Sequence, residues 1–244
     1  MSDTEQATLL KDIVKLQDQL QSAYKRVGEL KTSSNDQTVN HEATYQSVVL
    51  GTPILRFELP VSVVDQINYL CDNTENLERY NDRLAGKIKD EFNITPFVDE
   101  DIRNVFLTCF NQYLTVAQKP NWNCSLDEVW FNDMRANEYN PFHFHRTAVT
   151  DIGLSSVLML KRPSTYGEEY SKEEEPRNGW LALISGSQDP LSTSMYQMDA
   201  QVGDLFIFPY TLLHGVYPFN GTDEIRRTLS WNCNLVRNSK KTEK

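Results

Sequence analysis

The chain has 244 residues, with 39% apolar and 24% charged residues, enough for one good-sized core or a core with an appendage. Its formal net charge of -10 argues against a general nucleic-acid surface, because phosphate binding needs clustered cations. No apolar run reaches the ~18 residues of a membrane span, and the acidic start MSDTEQATLLKD lacks the basic and apolar regions of a secretory signal. The cysteines Cys71, Cys109, Cys124 and Cys233 are far apart and show no CxxC spacing. Buried reduced thiols in a cytoplasmic protein are the expectation.

Residues 4 to 31 form the first periodic segment. Ile13, Leu20 and Val27 fall at heptad position a, and Leu9, Leu16, Ala23 and Leu30 at d. This predicts an N-terminal amphipathic or coiled-coil helix over 1–31 that offers a homo-oligomer interface. The other reading is a helix packed on its own domain. Residues 32–44, TSSNDQTVNHEAT, are polar and aperiodic and read as a linker.

The main domain is expected over 45–238, followed by a disordered tail at 239–244. TPILRFELP (52–60) reads as a strand stopped by Pro60. A helical face follows in Val61, Val64, Ile67, Leu70 and Cys71. A second helix, about 99–118, carries Ile102, Val105, Phe106, Cys109, Phe110, Tyr113 and Ala117 on one face, with Asp99 as its cap. From Leu126 onward come short strand-like runs: VWFNDMRA, EYNPFHFH, SSVLMLK, GWLALIS, GDLFIFP, HGVYPF and RRTLSWNCN. Many short strands after two helices predict a mainly β fold with buttressing helices, a double-stranded β-helix or jelly-roll. Residues 163–179 hold five glutamates and read as a solvated loop, either a plain surface insertion or a lid selecting cationic substrates.

Three of the four histidines lie in strand-like contexts, NPFHFHR and LLHGVYPF; the fourth, His41, lies in the linker. Residues i and i+2 of a strand share a face, so His143 and His145 aim one way. His214, 69 residues after His145, can join them only through tertiary structure, which a jelly-roll provides. Imidazole suits iron, zinc and copper, and three ligands on one face of an ion leave positions open for other molecules. Asn132, Arg135 and Tyr139 precede these ligand candidates. They line the pocket or serve ordinary strand packing and surface polarity.

GDLFIFPYTLLHGVYPF followed by RRTLSWN resembles the 2-oxoglutarate/Fe(II)-dependent oxygenase superfamily. The likeness is to its prolyl-hydroxylase-like and small uncharacterised bacterial and phage branches. It is carried by Gly203, Asp204, Leu205, Phe208 and Pro209, then His214, Val216 and Pro218, then Arg226, Thr228 and Ser230. It covers roughly residues 126–236. The resemblance implies an Fe(II)- and 2-oxoglutarate-dependent dioxygenase, hydroxylating a small molecule or a protein side chain. It implies His214 as the distal iron ligand and an arginine about a dozen residues later for the far carboxylate of 2-oxoglutarate. Arg226, twelve residues after His214, alternates with Thr228 and Ser230 on one face, and Arg227 then points away. The other reading turns Arg227 inward.

One departure stands out. The superfamily usually reads H-x-D/E where this chain has His143-Phe144-His145. Three readings follow: His145 as a metal ligand in a three-histidine site, His145 as a neighbour of the metal, or Asp151 swinging in as the carboxylate. Two other functions also stay open. One is a non-catalytic structural or binding protein retaining the fold. The other is a three-histidine dioxygenase of the cupin type, for which an arginine at 226 has no evident use.

Overall fold

The computed structural model describes residues 37–39, 43–45, 51–84, 86–146, 150–169, 176–186 and 193–238. The chain divides into two units, Met1–Gly51 and Thr52–Lys244. In the first, β1 (Gln37–Val39) and β2 (Ala43–Tyr45) pair antiparallel, with Thr38 opposite Thr44. This pair falls within the stretch read as a linker except for Tyr45, the expected first residue of the main domain. Strands of three residues without apolar alternation leave no period to detect. The heptad segment 4–31 and the tail 239–244 lie outside the described residues.

The second unit runs β3 (Leu55–Glu58), α1 (Val61–Asn73), β4 (Glu78–Arg79), β5 (Asp90–Asn93), α2 (Glu100–Val116), β6 (Trp122–Met134), β7 (Asn140–His143), β8 (Gly153–Lys161), β9 (Leu181–Ile184), β10 (Met195–Met198), β11 (Asp204–Pro209), β12 (Leu213–Val216) and β13 (Arg226–Arg237). The two helices and every strand run expected from residue 52 onward are present. β4, β5 and β10 were not expected; the first is only two exposed residues long, and DEFN and MYQM lack a clean alternation.

All pairings are antiparallel, in a seven-stranded sheet ordered β3-β11-β8-β13-β6-β5-β4 and a four-stranded sheet ordered β10-β9-β12-β7. This mainly β arrangement with two helices is consistent with the expected jelly-roll. Alternation along the central strands sorts two cores. On β8, Leu154, Leu158 and Leu160 join Leu229 and Trp231 of β13 and the faces of α1 and α2. Met159 instead faces Leu181, Leu183, Phe206 and Phe208, between the two sheets. Each such side chain, fully buried, contributes roughly 1.5–3 kcal/mol.

The helices form where their sequences direct. α1 starts directly after Pro60, whose fixed φ suits a helix start, and buries Val64, Ile67 and Cys71 on one stripe. In α2, the Asp99 side chain accepts the Ile102 amide at 2.9 Å, with Glu100 and Asp101 in the positive first turn. The GDL motif also has a local cause. Gly203 sits at φ +95, which favours glycine. Asp204 then accepts from the Gln201 amide at 2.8 Å and from Arg56 at 2.8 Å, fixing the turn into β11.

Candidate metal centre

β7 and β12 lie side by side, with His143 directly opposite His214. Two local features allow this. Pro141 cannot donate to a ladder, and β7 is an edge strand, where the loss is tolerated. A Cβ at Gly215 would stand 2.9 Å from the Asn140 carbonyl, so glycine there lets the strands approach. β7 ends at His143, so His145 does not owe its position to strand alternation alone. Its backbone amide is held instead by the Tyr210 carbonyl at 2.9 Å. Tyr210 in turn sits against Gly153, where any Cβ would clash with the phenol ring.

The three imidazoles converge. His145 Nε2 lies 3.2 Å from His143 Nε2 and 3.0 Å from His214 Nε2. Nδ1 of His143 lies 2.7 Å from the Pro141 carbonyl, and Nδ1 of His214 lies 2.9 Å from the Leu212 carbonyl. A carbonyl only accepts, so both Nδ1 atoms carry the hydrogen and both Nε2 atoms present lone pairs. The Asn232 side chain stands beside His145 and accepts from Ser155 Oγ at 2.9 Å. Burial pushes the His145 pKa down to about 4, and the charge of His143 pushes the same way. Burial likewise lowers His143 and takes His214 well below the ordinary histidine value. All three are therefore neutral, the form that ligates metals.

This donor set fits a divalent ion. Imidazole nitrogens sit ~2.1 Å from such an ion, so two ligands at right angles are about 3.0 Å apart and two at the tetrahedral angle about 3.4 Å. The observed separations of 3.2 and 3.0 Å fall in that range. Lone pairs facing one another at this distance repel unless something positive sits between them. His143, His145 and His214 are the group among the described residues able to hold a metal ion. Asp151, the candidate carboxylate, is exposed and outside this group.

The histidines open onto a cavity of about 560 Å³. Asn132, Thr228, Ser230 and Asn232 line its wall on the seven-stranded sheet, and Tyr80, Glu128, Phe144 and Arg146 also border it. Arg226 lies one alternation beyond Thr228 on the same face of β13 and is 2% exposed. Its Nε donates to the Gly179 carbonyl at 2.9 Å, and its Nη2 has no partner among the described residues. Asn140 Oδ1, in the cavity lining, is likewise buried and unpartnered. Arg227 points the other way, gripping Asp133 and Asp72.

Of the other residues named from sequence, Asn132 lines the cavity. Arg135 instead pairs with Asp90 at 3.3 Å, and Tyr139 is 42% exposed on the surface. Sequence reasoning missed Tyr210, Asn232 and Gly153. The Asn232 in SWN and the Tyr210 in FPY stand inside the motifs already singled out, which was the available signal.

Fold and site together define a class: a two-sheet β protein with a cluster of three histidines able to hold a metal ion and a buried arginine beyond it. Residues 128–232 match the family described as "Putative 2OG-Fe(II) oxygenase", a span that takes in all three histidines and Arg226. Over that span the chain is similar to the 2-oxoglutarate/Fe(II)-dependent oxygenases. Among solved structures, a Pseudomonas putida prolyl-4-hydroxylase superposes with a TM-score of 0.51 at 15% identity, covering 77% of this chain and 94% of that one. A prolyl hydroxylase from Trichoplax adhaerens, in complex with a hypoxia inducible factor peptide fragment, gives 0.50 at 11% identity over 75% and 83%. HygX from Streptomyces hygroscopicus, with nickel, 2-oxoglutarate and hygromycin B bound, gives 0.50 at 10% over 75% and 82%. At these identities the likeness is one of fold. No curated protein sequence matches the chain.

Proposed function

We propose that the protein is an Fe(II)- and 2-oxoglutarate-dependent dioxygenase in which His143, His145 and His214 together hold the Fe(II), and Arg226, with Thr228 and Ser230, receives the far carboxylate of 2-oxoglutarate. The observation that carries this reading is the convergence of three neutral Nε2 atoms, two of them fixed by carbonyl partners. Fe(II) and 2-oxoglutarate bound there supply dioxygen chemistry coupled to oxidative decarboxylation to succinate, ending in hydroxylation of a substrate C–H bond.

The chain's own part is binding and orientation. Three neutral imidazoles bring no negative charge, unlike two imidazoles and a carboxylate. A dianionic cosubstrate then supplies the charge that this ligand set omits. The buried, unpartnered Arg226 Nη2 offers a donor to its far end, and a guanidinium binds a carboxylate well in a dry site. The Thr228 and Ser230 hydroxyls lie on the same face, between Arg226 and the histidines. Trp130, stacked 6.0 Å from His145, lines the same cavity.

The substrate is a small molecule or a protein side chain. The free thiols fit a cytoplasmic setting. The heptad pattern at 4–31 fits self-association, and the net charge of -10 fits a protein that does not bind nucleic acid generally. Among the described residues no helix is long and apolar enough to cross a membrane.

The test is succinate formation from 2-oxoglutarate with added Fe(II), alongside binding of Ni(II) as a redox-inert stand-in. His145→Ala is expected to abolish both metal binding and turnover. Arg226→Ala is expected to retain Ni(II) and lose 2-oxoglutarate. Undiminished Ni(II) affinity in His145→Ala would reduce His145 to a neighbour of the metal. Metal binding with no 2-oxoglutarate affinity in the unmodified protein would favour the cupin-type alternative.

A further inference from the structure

Strand β6 carries a bulge where its cavity face approaches the histidines. Against β13, Val129 stands opposite Trp231 and Leu126 opposite Cys233, so Asp127 and Glu128 together face the single residue Asn232. Unbroken alternation would send two adjacent side chains to opposite faces of the sheet. Here Asp127 and Glu128 both line the cavity. The extra residue has re-aimed a side chain, as bulges beside functional sites do. The core holds the bulge in place: the buried Trp231 indole donates to the Asp127 carbonyl at 3.0 Å.

The bulge continues into an aromatic wall. The Glu128 carboxylate accepts from the Tyr80 hydroxyl. The Tyr80 ring lies 5.5 Å from that of Trp130, and Trp130 stacks 6.0 Å from His145. Asn232, opposite the bulge, stands beside His145. The two acids are thus neighbours of the histidine cluster. They are remote from Arg226, which lies six residues from Asn232 on the same face of β13, about 20 Å at the rise of a strand. The proposed cosubstrate anion and this acidic pair occupy opposite ends of one face.

The charge at the acidic end is not matched within the protein. Asp127 forms no ion pair among the described residues. Arg146, the one cation among the described residues lining the cavity, forms none either. The cavity is built for a ligand on independent grounds. Ser230 is 8% exposed, stands opposite Trp130 and lines the cavity, and its hydroxyl has no hydrogen-bond partner among the described residues. Two carboxylates beside aromatic faces are the chemistry that holds an organic cation: the acids supply charge and acceptors, and the rings supply their negative faces. The net charge of -10 draws molecules of the same class toward the protein.

We propose that Asp127 and Glu128 bind an ammonium or guanidinium group of the substrate, with Trp130 as the wall beside it, and so decide which C–H bond is presented to the metal. This names a substrate class for the oxygenase reading above and rests on it. The bulge is what makes the class readable: with regular pairing the cavity would hold one of these carboxylates and not both.

The test is calorimetric titration of probes into the full chain loaded with Ni(II), with and without 2-oxoglutarate. The free cations n-butylamine and n-butylguanidine are matched by neutral n-butanol. The side-chain mimics Nα-acetyl-lysine amide and Nα-acetyl-arginine amide are matched by Nα-acetyl-norleucine amide. A cationic probe is expected to bind at least roughly tenfold more tightly than its neutral match, the scale of one hydrogen bond to a charged group. That advantage should shrink with added salt, and by a similar factor in Asp127→Asn or Glu128→Gln. Ni(II) titration of each variant shows whether the pocket itself has survived, and the contrast between cation and neutral match on the wild-type protein decides the question even if a variant loses Ni(II). Preference for the capped amino acids assigns the cation to a protein side chain, and preference for the free amines assigns it to a small molecule. Equal affinity for cation and neutral match, or an undiminished advantage in both variants, overturns the proposal. Normal 2-oxoglutarate affinity with no charge-dependent probe binding overturns it and leaves the oxygenase reading standing. Charge-dependent probe binding with no 2-oxoglutarate affinity removes the oxygenase reading, and with it the substrate role of the cation.

Discussion

The two faces of β13 carry adjacent arginines that meet opposite circumstances. On the helix side, Arg227 Nε and Nη2 each lie 2.6 Å from an Asp133 oxygen, and Nη1 lies 2.6 Å from Asp72 at the end of α1. The Phe131 ring lies under it at 5.1 Å. Leu229, Trp231 and Cys233 continue that face as closed core, and the Trp231 indole donates to the Asp127 carbonyl at 3.0 Å. On the cavity side, Arg226, Thr228, Ser230 and Asn232 follow one another. Here a buried guanidinium has a neutral carbonyl for a partner and one donor with none. The helix side has its charges matched within the protein. The cavity side leaves a buried guanidinium without a carboxylate among the described residues, as the proposed cosubstrate site requires.

The sharpest way to break this comparison is Arg227→Ala. Removing the cation strands Asp133, whose carboxylate is largely buried, so the cost is expected to be about 3–5 kcal/mol in denaturant unfolding. Molecules that remain folded should bind Ni(II) and 2-oxoglutarate as wild type does. A folded Arg227→Ala protein that had lost 2-oxoglutarate would mean the two faces are not independent.

The next effect belongs to the cavity side and depends on pH. Glu91 of β5 is buried opposite Asn132 of β6. Its Oε2 accepts from Asn81 at 3.2 Å, and the Asn132 amide, oriented by its partners, donates to Oε1 at 3.2 Å. Burial raises the Glu91 pKa to about 7, and the charge of Glu138 adds to the rise. Here the folded state holds the proton more tightly than the unfolded one, whose value is the ordinary 4.5. Between about pH 4.5 and pH 7 the folded state binds more protons, so stability falls as pH rises through that window and levels off above it. The full difference is on the order of 3 kcal/mol. Glu91→Gln copies the protonated form and should flatten the slope. Relative to wild type it should be more stable at pH 8 and nearly equal at pH 5. An unchanged slope in the variant would assign the pH dependence to another group.

Much of the site could be read from sequence because its signals are local. His143 and His145 are two apart, Arg226 and Thr228 are two apart, and GDL marks a turn whose glycine has positive φ. What stayed hidden depends on cross-strand neighbours. Nothing in FPY says that the Tyr210 carbonyl holds the His145 amide, because the partner lies 65 residues away. Gly179 ends a stretch whose composition reads only as solvated, and the bond its carbonyl accepts from Arg226 spans 47 residues. Strand alternation also gave a partly different reason for His145 than the one the fold uses: the strand stops at His143, and a single backbone bond carries His145 the last step. The fold followed the same division. The long apolar runs of β8, β11 and β13 and the capped α2 were legible, whereas β4, β5 and β10 are strands through their neighbours rather than their own pattern.

The smallest effect lies outside both faces, on the helix that covers the first. Asp99 caps α2 through the Ile102 amide at 2.9 Å, and its other oxygen accepts from Gln66 of α1 at 2.7 Å. Asp99→Ala removes both bonds and should cost about 1 kcal/mol, read as a lower midpoint in thermal or denaturant unfolding. Asp99→Ser keeps a capping oxygen and gives up the link to Gln66. If the cap dominates, as expected for an exposed side-chain bond set against a helix terminus, the serine variant should recover most of the loss. Neither variant should move Ni(II) or 2-oxoglutarate affinity. Helix α2 touches the cavity only through the thickness of the seven-stranded sheet, and a change in ligand affinity on uncapping it would show that the helix side transmits strain to the cavity side.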